Sequence, residues 1–325
     1  MIERIVRDPS THTCESLEDV TEKLNYFRQL SANGLHNLTE GEIDLLVKEF
    51  NTFFNLNLSF FADTYPTKLF RVTNNKLITG TNQYKLQNIS NLIGPPEGVS
   101  GINRCNLKGE SVFYAALDLK TALWETQPQK DDYITVSEWT IKPGQRLNNH
   151  FIFHPTDTNL SKESKQAYEA HLEAKKSLHP TLAPIFTETM KFFAEEFMKK
   201  VDEDKKINYL FSSIISSRLL QTKPDSNGFR IESISYPSIK LDHKVTNIAI
   251  LNSLVLEKLD LKSVTIYTVM ETNYDDALKD SLDFVKVSAL QTFHKSFDFE
   301  NNCIYYDLER ELKDAIELHE KSERQ

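Results

Sequence analysis

Residues 104 to 125 read RCNLKGESVFYAALDLKTALWE, and they hold three side chains suited to chemistry. Arg104 and Asn106 precede an apolar strand, and Glu125 follows it at the start of a helix, among that helix's apolar residues. A carboxylate in such a place can stabilise positive charge developing on a sugar ring, as in glycoside cleavage. Arginine holds phosphate oxygens in a bidentate fork that lysine cannot match. Each has an ordinary reading as well. Glu125 alone is as readily an exposed helix residue, and Arg104 and Asn106 would equally fix a loop through backbone hydrogen bonds. Glu110, a loop acid in the same stretch, belongs to no such pattern.

Other chemistries find no support. There is no GxGxxG, no P-loop and no GxSxG elbow, and 9 glycines leave little room for a phosphate cradle. His150 and His154 are four apart but flank Phe-Ile-Phe, which reads as strand, so they are not expected to grip a metal. Cys14, Cys105 and Cys303 are far apart, with no CxxC, which speaks against a zinc knuckle or a disulfide framework. A reducing, cytoplasmic setting is expected, since the N-terminus lacks the apolar stretch of a signal peptide. No run of apolar residues is long enough to span a bilayer. The net charge of −9 argues against general nucleic-acid binding, though not against a local cationic pocket.

The elements that would position these groups follow from periodicity. Ser16 with Asp19, and Thr39 with Glu42, open two amphipathic helices, so residues 1–62 are expected to form a helical extension. From residue 63 onward the texture turns to strand. KLFRV, SVFYAA and YITVSEWTI come first, with mostly loop over 74–103. A helical insertion is expected at about 158–222, with Phe186, Met190, Phe193 and Phe197 as a core stripe. Strands return in GFRIESISYPSI, NIAIL, SVTIYTVM and FVKVSAL, and the tail from Asp307 reads as a charged helix.

Four stretches in this order resemble the RES domain, named for its Arg, Glu and Ser residues. They are LFRV with Arg71; the run from Arg104 through Asn106, Gly109 and VFYAA to TALWE; SISYPSI; and Asn247 before an apolar strand. The resemblance spans roughly residues 65 to 290, interrupted by the helical block. It implies an α+β fold with an ADP-ribosyltransferase-like β core, and consumption of NAD by cleavage of the nicotinamide–ribose bond, through hydrolysis or phosphorolysis. It also implies a toxin role with an antitoxin or regulatory partner, and NAD as substrate without a metal. Arg71, Glu125 and Ser238 take the family's catalytic roles. Arg71, Arg104, Tyr114 and Asn247 become candidates for holding NAD, with Tyr114 covering a ring. Ser238 competes with Ser233 and Ser235, and its Tyr-Pro context favours it. Cys105 replaces the usual aromatic after the motif arginine, and the N-terminal helices and the long insert are additions. Two other readings of such a pocket are ADP-ribosyl transfer onto a macromolecule and a non-catalytic interaction module.

Overall fold

Ser16 and Asp19 exchange hydrogen bonds as a reciprocal cap, the serine hydroxyl accepting from the Asp19 N–H at 3.1 Å. The helix they open is α1 (Leu17–Asn33). A second cap, between Thr39 and Glu42, precedes α2 (Glu40–Phe53). The computed structural model describes residues 16–53, 68–156, 160–224, 226, 228–242, 244–290 and 295–306. The remaining elements, in chain order, are β1 (Leu69–Asn74), α3 (Asn75–Thr79), β2 (Val112–Ala116), α4 (Leu119–Thr126), β3 (Tyr133–Ile141) and β4 (Asn149–Phe151). Then come α5 (Lys162–Ser177), α6 (Leu182–Phe197), α7 (Leu210–Leu220), β5 (Ser233–Pro237) and β6 (Thr246–Leu251). The last are α8 (Val255–Lys258), β7 (Leu259–Thr272), β8 (Val285–Leu290), β9 (Lys295–Asp298) and β10 (Cys303–Tyr306). The fold class is α+β, as expected; β4 and β5 run parallel, and the pairs β1–β2, β1–β3, β3–β7, β5–β6, β7–β8 and β9–β10 run antiparallel.

The chain divides into two compact units. The helical unit lies within Met1–Tyr65, Pro96–Val112 and Leu147–Leu251. Its core is aromatic. Phe27 of α1 meets Phe50 of α2 at 5.0 Å and Phe211 of α7 at 5.4 Å, and Phe192 of α6 joins them. Phe186, Met190, Phe193 and Phe197 are buried, as their spacing predicts. Arg28 ties α1 to α6 by an ion pair with Glu195 at 2.6 Å. Beside it the Ser31 hydroxyl donates to the buried Glu196 carboxylate at 2.6 Å. α7 is buried on nearly every side, and its buried Ser212, Ser213 and Ser216 give their hydroxyls to backbone carbonyls three or four residues earlier. The three strands of this unit run β4-β5-β6, and Asn149 of β4 bonds both Ser233 and Ser235 of β5.

The sheet unit lies within Pro66–Pro95, Phe113–Arg146 and Asn252–Gln325. Its strand order is β2-β1-β3-β7-β8, antiparallel throughout, and β9 and β10 form a separate hairpin. β1 lies between β2 and β3, with Arg71 opposite Ser137 and Thr73 opposite Thr135. α4 packs on β1.

Several expectations need correction in detail. The stretch 74–103 is mostly loop, as expected, but also holds α3, which Asn74 caps at the Lys76 N–H at 3.1 Å, and a short 3-10 turn at Ile89–Leu92. The strand read over 228–239 is confined to Ser233–Pro237. β7 begins at Leu259, four residues before the expected start. The expectations for residues 1–15 and 54–62, and for the tail from Asp307, lie outside the described residues.

Candidate active site

Arg71 sits mid-strand in β1, where alternation should make it either a core or a surface position. It is largely buried. Its Nη1 donates to the Tyr114 carbonyl at 2.9 Å, and its guanidinium lies 5.5 Å from the centre of the Phe113 ring. Its Nε is shut from solvent without a hydrogen-bond partner. Burial pulls the guanidinium down to about 10, and no carboxylate among the described residues acts to restore it. A buried cation with no counterion is costly, and such groups concentrate at functional sites.

The strand register sets the faces on which Arg71 and Tyr114 lie. Phe70 pairs with Ala116, so Phe70, Ala116 and Tyr114 share one face of β1 and β2. Arg71 shares the other with Phe113. Arg71 meets Tyr114 through the Tyr114 backbone carbonyl, and the Tyr114 side chain is close enough to act electrostatically on the guanidinium.

Glu125 is held by the short helix α4. Asp118 opens it by accepting from the Thr121 N–H at 2.8 Å and the Thr121 hydroxyl at 2.6 Å. Trp124 is fully buried and lies edge-on to Phe284 at 4.6 Å and Tyr274 at 5.7 Å. Gln127 ends the helix in the left-handed region, with φ 43°, directly before Pro128. That is a strained place for a side chain other than glycine or asparagine. The Tyr274 hydroxyl, whose ionisation burial pushes up, donates to the Pro128 carbonyl at 2.7 Å and pins the exit. The sequence suggested an acid at the start of a helix. Glu125 is instead the next-to-last residue of α4, half-buried, at the negative end of the helix dipole. A carboxylate there is disfavoured by about 0.3–1 kcal/mol, so the position is not explained by helix stability.

The other candidates belong to the helical unit. Arg104 donates to the Phe197 carbonyl, to the Lys199 carbonyl at 3.3 Å and to the Tyr209 hydroxyl at 3.1 Å. Its guanidinium also lies over the Tyr209 ring at 4.7 Å. It thus occupies the C-terminal end of α6, where unpaired carbonyls favour a cation. Asn106 donates to the Gly101 and Leu107 carbonyls, both at 2.8 Å. Glu110, which no motif marked, accepts from the Leu107 N–H at 2.8 Å and from the Ser217 hydroxyl. The Cys105 thiol is buried and pushed up to about 12, which leaves it unreactive.

Ser238 is fully buried just past β5. Its hydroxyl accepts from the Leu241 N–H at 3.2 Å, closing a turn. Asn247 is buried in β6, paired with Tyr236. His150 lies in β4 as its sequence suggested, buried and pulled down to about 4 by desolvation. Among the described residues no group of three or more His, Cys, Asp and Glu could hold a metal ion. Nor is any helix of these residues long and apolar enough to cross a membrane.

The structure thus brings the strand of Arg71 and the helix of Glu125 together in one unit, and groups Arg104, Ser238 and Asn247 in the other. No motif marked two further residues of the sheet unit. Tyr274 fixes the loop after Glu125, and the buried hydroxyl of Thr73 stands two residues from Arg71. A polar residue inside an apolar strand was the available clue to Thr73. No protein-family model matches the chain, and a search of curated proteins finds no match.

Proposed function

We propose that the protein cleaves the nicotinamide–ribose bond of NAD, with water or phosphate as acceptor, on an ADP-ribosyltransferase-like β core. The supporting observation is the buried Arg71 guanidinium, which has no carboxylate partner among the described residues and lies in the unit where α4 presents Glu125. Arg71 supplies the charge that a pyrophosphate requires. Cleavage sends the bonding pair of the C1′–N bond to nicotinamide and leaves positive charge on the ribose ring. The Glu125 carboxylate stabilises that charge. The acceptor oxygen then bonds to C1′ and gives up its proton. Depletion of NAD would account for a growth-inhibiting role and for control by a partner protein.

The test is release of nicotinamide from NAD by the purified chain, with and without phosphate. Glu125→Gln should keep the fold and lose about 100-fold or more in turnover. Full activity in that variant removes Glu125 from the mechanism, and no release in either buffer removes the proposal. Label from NAD fixed on a macromolecule would instead indicate transfer.

A further inference from the structure

Thr73 Oγ1 is buried without a hydrogen-bond partner, and so is Arg71 Nε two residues earlier. Among the described residues of the sheet unit, these are the buried side-chain polar atoms in that condition. Residues two apart on a strand share a face, with about 6.7 Å between their Cα atoms. Their neighbours on that face are satisfied. Thr135, opposite Thr73, gives its hydroxyl to Asn75 Oδ1 at 2.7 Å. Asn75 Nδ2 in turn donates to the Gln83 and Tyr84 carbonyls at 2.9 and 3.1 Å. Ser137, opposite Arg71, accepts from Trp139 Nε1 at 2.9 Å.

Leaving a buried polar group unsatisfied is costly to the fold. Valine would fill the volume of Thr73 without that cost, yet the chain carries a hydroxyl there. An orphaned donor on a cation, beside an orphaned hydroxyl, is complementary to a ligand with adjacent anionic oxygens. We infer that Thr73 and Arg71 form one anion subsite, in which the Thr73 hydroxyl donates to a phosphate oxygen beside the one held by Arg71. The ligand class is a nucleoside diphosphate. The identity of that nucleotide rests on the NAD reading, whereas the anion subsite rests on the two atoms. Arg71 keeps part of its side chain at the surface, so the anion enters along it and displaces what covers Thr73.

The test is calorimetric binding of inorganic pyrophosphate and of ADP-ribose to the full chain. Thr73→Val should weaken both by about tenfold or more without lowering the melting temperature, and Thr73→Ser should stay within about threefold of the parent. Thr73→Ala gives the same readout should the valine variant fold poorly. Unchanged binding in the hydroxyl-free variants would mean that Thr73 serves a trapped water only, and would overturn the subsite. A parent protein that binds neither anion would overturn it as well. Thr73-dependent binding of both anions, with no turnover of NAD, would sink the NAD reading and leave the subsite standing.

Discussion

Replacing Arg71 by methionine should make the protein more stable and inactive. Burial lowers the guanidinium from 12.5 to about 10. At about 1.4 kcal/mol per unit, holding the charge in the folded chain costs about 3 kcal/mol. The sign is fixed by the direction of the shift. A base with a depressed folded value carries the full cost below that value, so it is present at pH 7 and is relieved only from about 10 upward. Against it stand the charged hydrogen bond to the Tyr114 carbonyl, about 1.5 kcal/mol, and the contact with Phe113, about 0.5–1 kcal/mol. Methionine keeps the apolar stem and loses both the charge and these contacts. The balance is roughly 1 kcal/mol in favour of Arg71→Met. With a urea slope of about 3 kcal/mol/M, the midpoint should rise by about 0.3 M. Nicotinamide release and pyrophosphate binding should disappear together. A loss of about 2 kcal/mol or more would show that Arg71 is a structural cation, and the missing counterion would then say nothing about function. Unchanged NAD turnover in a stable variant would refute the binding role directly.

Two further outcomes concern the helical unit. Arg104→Lys cannot reproduce the fork that serves two carbonyls and the Tyr209 hydroxyl, so it should destabilise the protein by about 2 kcal/mol in urea melts. A raised KM for NAD with unchanged stability would instead make Arg104 a ligand residue. His150 is buried with its ionisation lowered from 6.5 to about 4. Its neutral form is favoured by folding, so the associated stability is present above pH 6.5 and is lost as pH falls toward 4, by up to about 3 kcal/mol. His150→Gln should flatten that part of the stability–pH curve, and a curve as steep as the parent's would clear His150 of the effect.

Local rules were enough for much of the fold. The caps at Ser16, Thr39 and Asp118 are made of side chains that bond backbone only a few residues away, so they are readable without knowing the rest of the chain. β3 covers the same nine residues, Tyr133–Ile141, that read as strand in the sequence. Failures came where distant residues decide. The Leu259–Lys262 start of β7 is held by pairing with Thr140 and Ile141, more than a hundred residues away. Arg104 is claimed by the end of α6, 93 residues on, which no motif could show. Arg71 was marked by pattern, but its orphaned Nε is a property of what fails to surround it. Glu125 was expected in the first turns of its helix and lies at its end, because the stop at Gln127 depends on a left-handed residue that is neither glycine nor asparagine.

Both tryptophans of the chain, Trp124 and Trp139, are fully buried, and both belong to the sheet unit. The long helices α1, α2, α5, α6 and α7 belong to the other unit. Nature has in effect labelled the two halves with different optical probes. Indole emission reports the surroundings of β3 and α4, and far-ultraviolet ellipticity is dominated by the helices. Denaturation followed at both wavelengths reads out whether the two units melt as one, with no dye or added chromophore. Coincident curves would mean a single cooperative protein, and a helical signal lost ahead of the indole shift would mean that the half carrying Arg71 and Glu125 outlasts its neighbour.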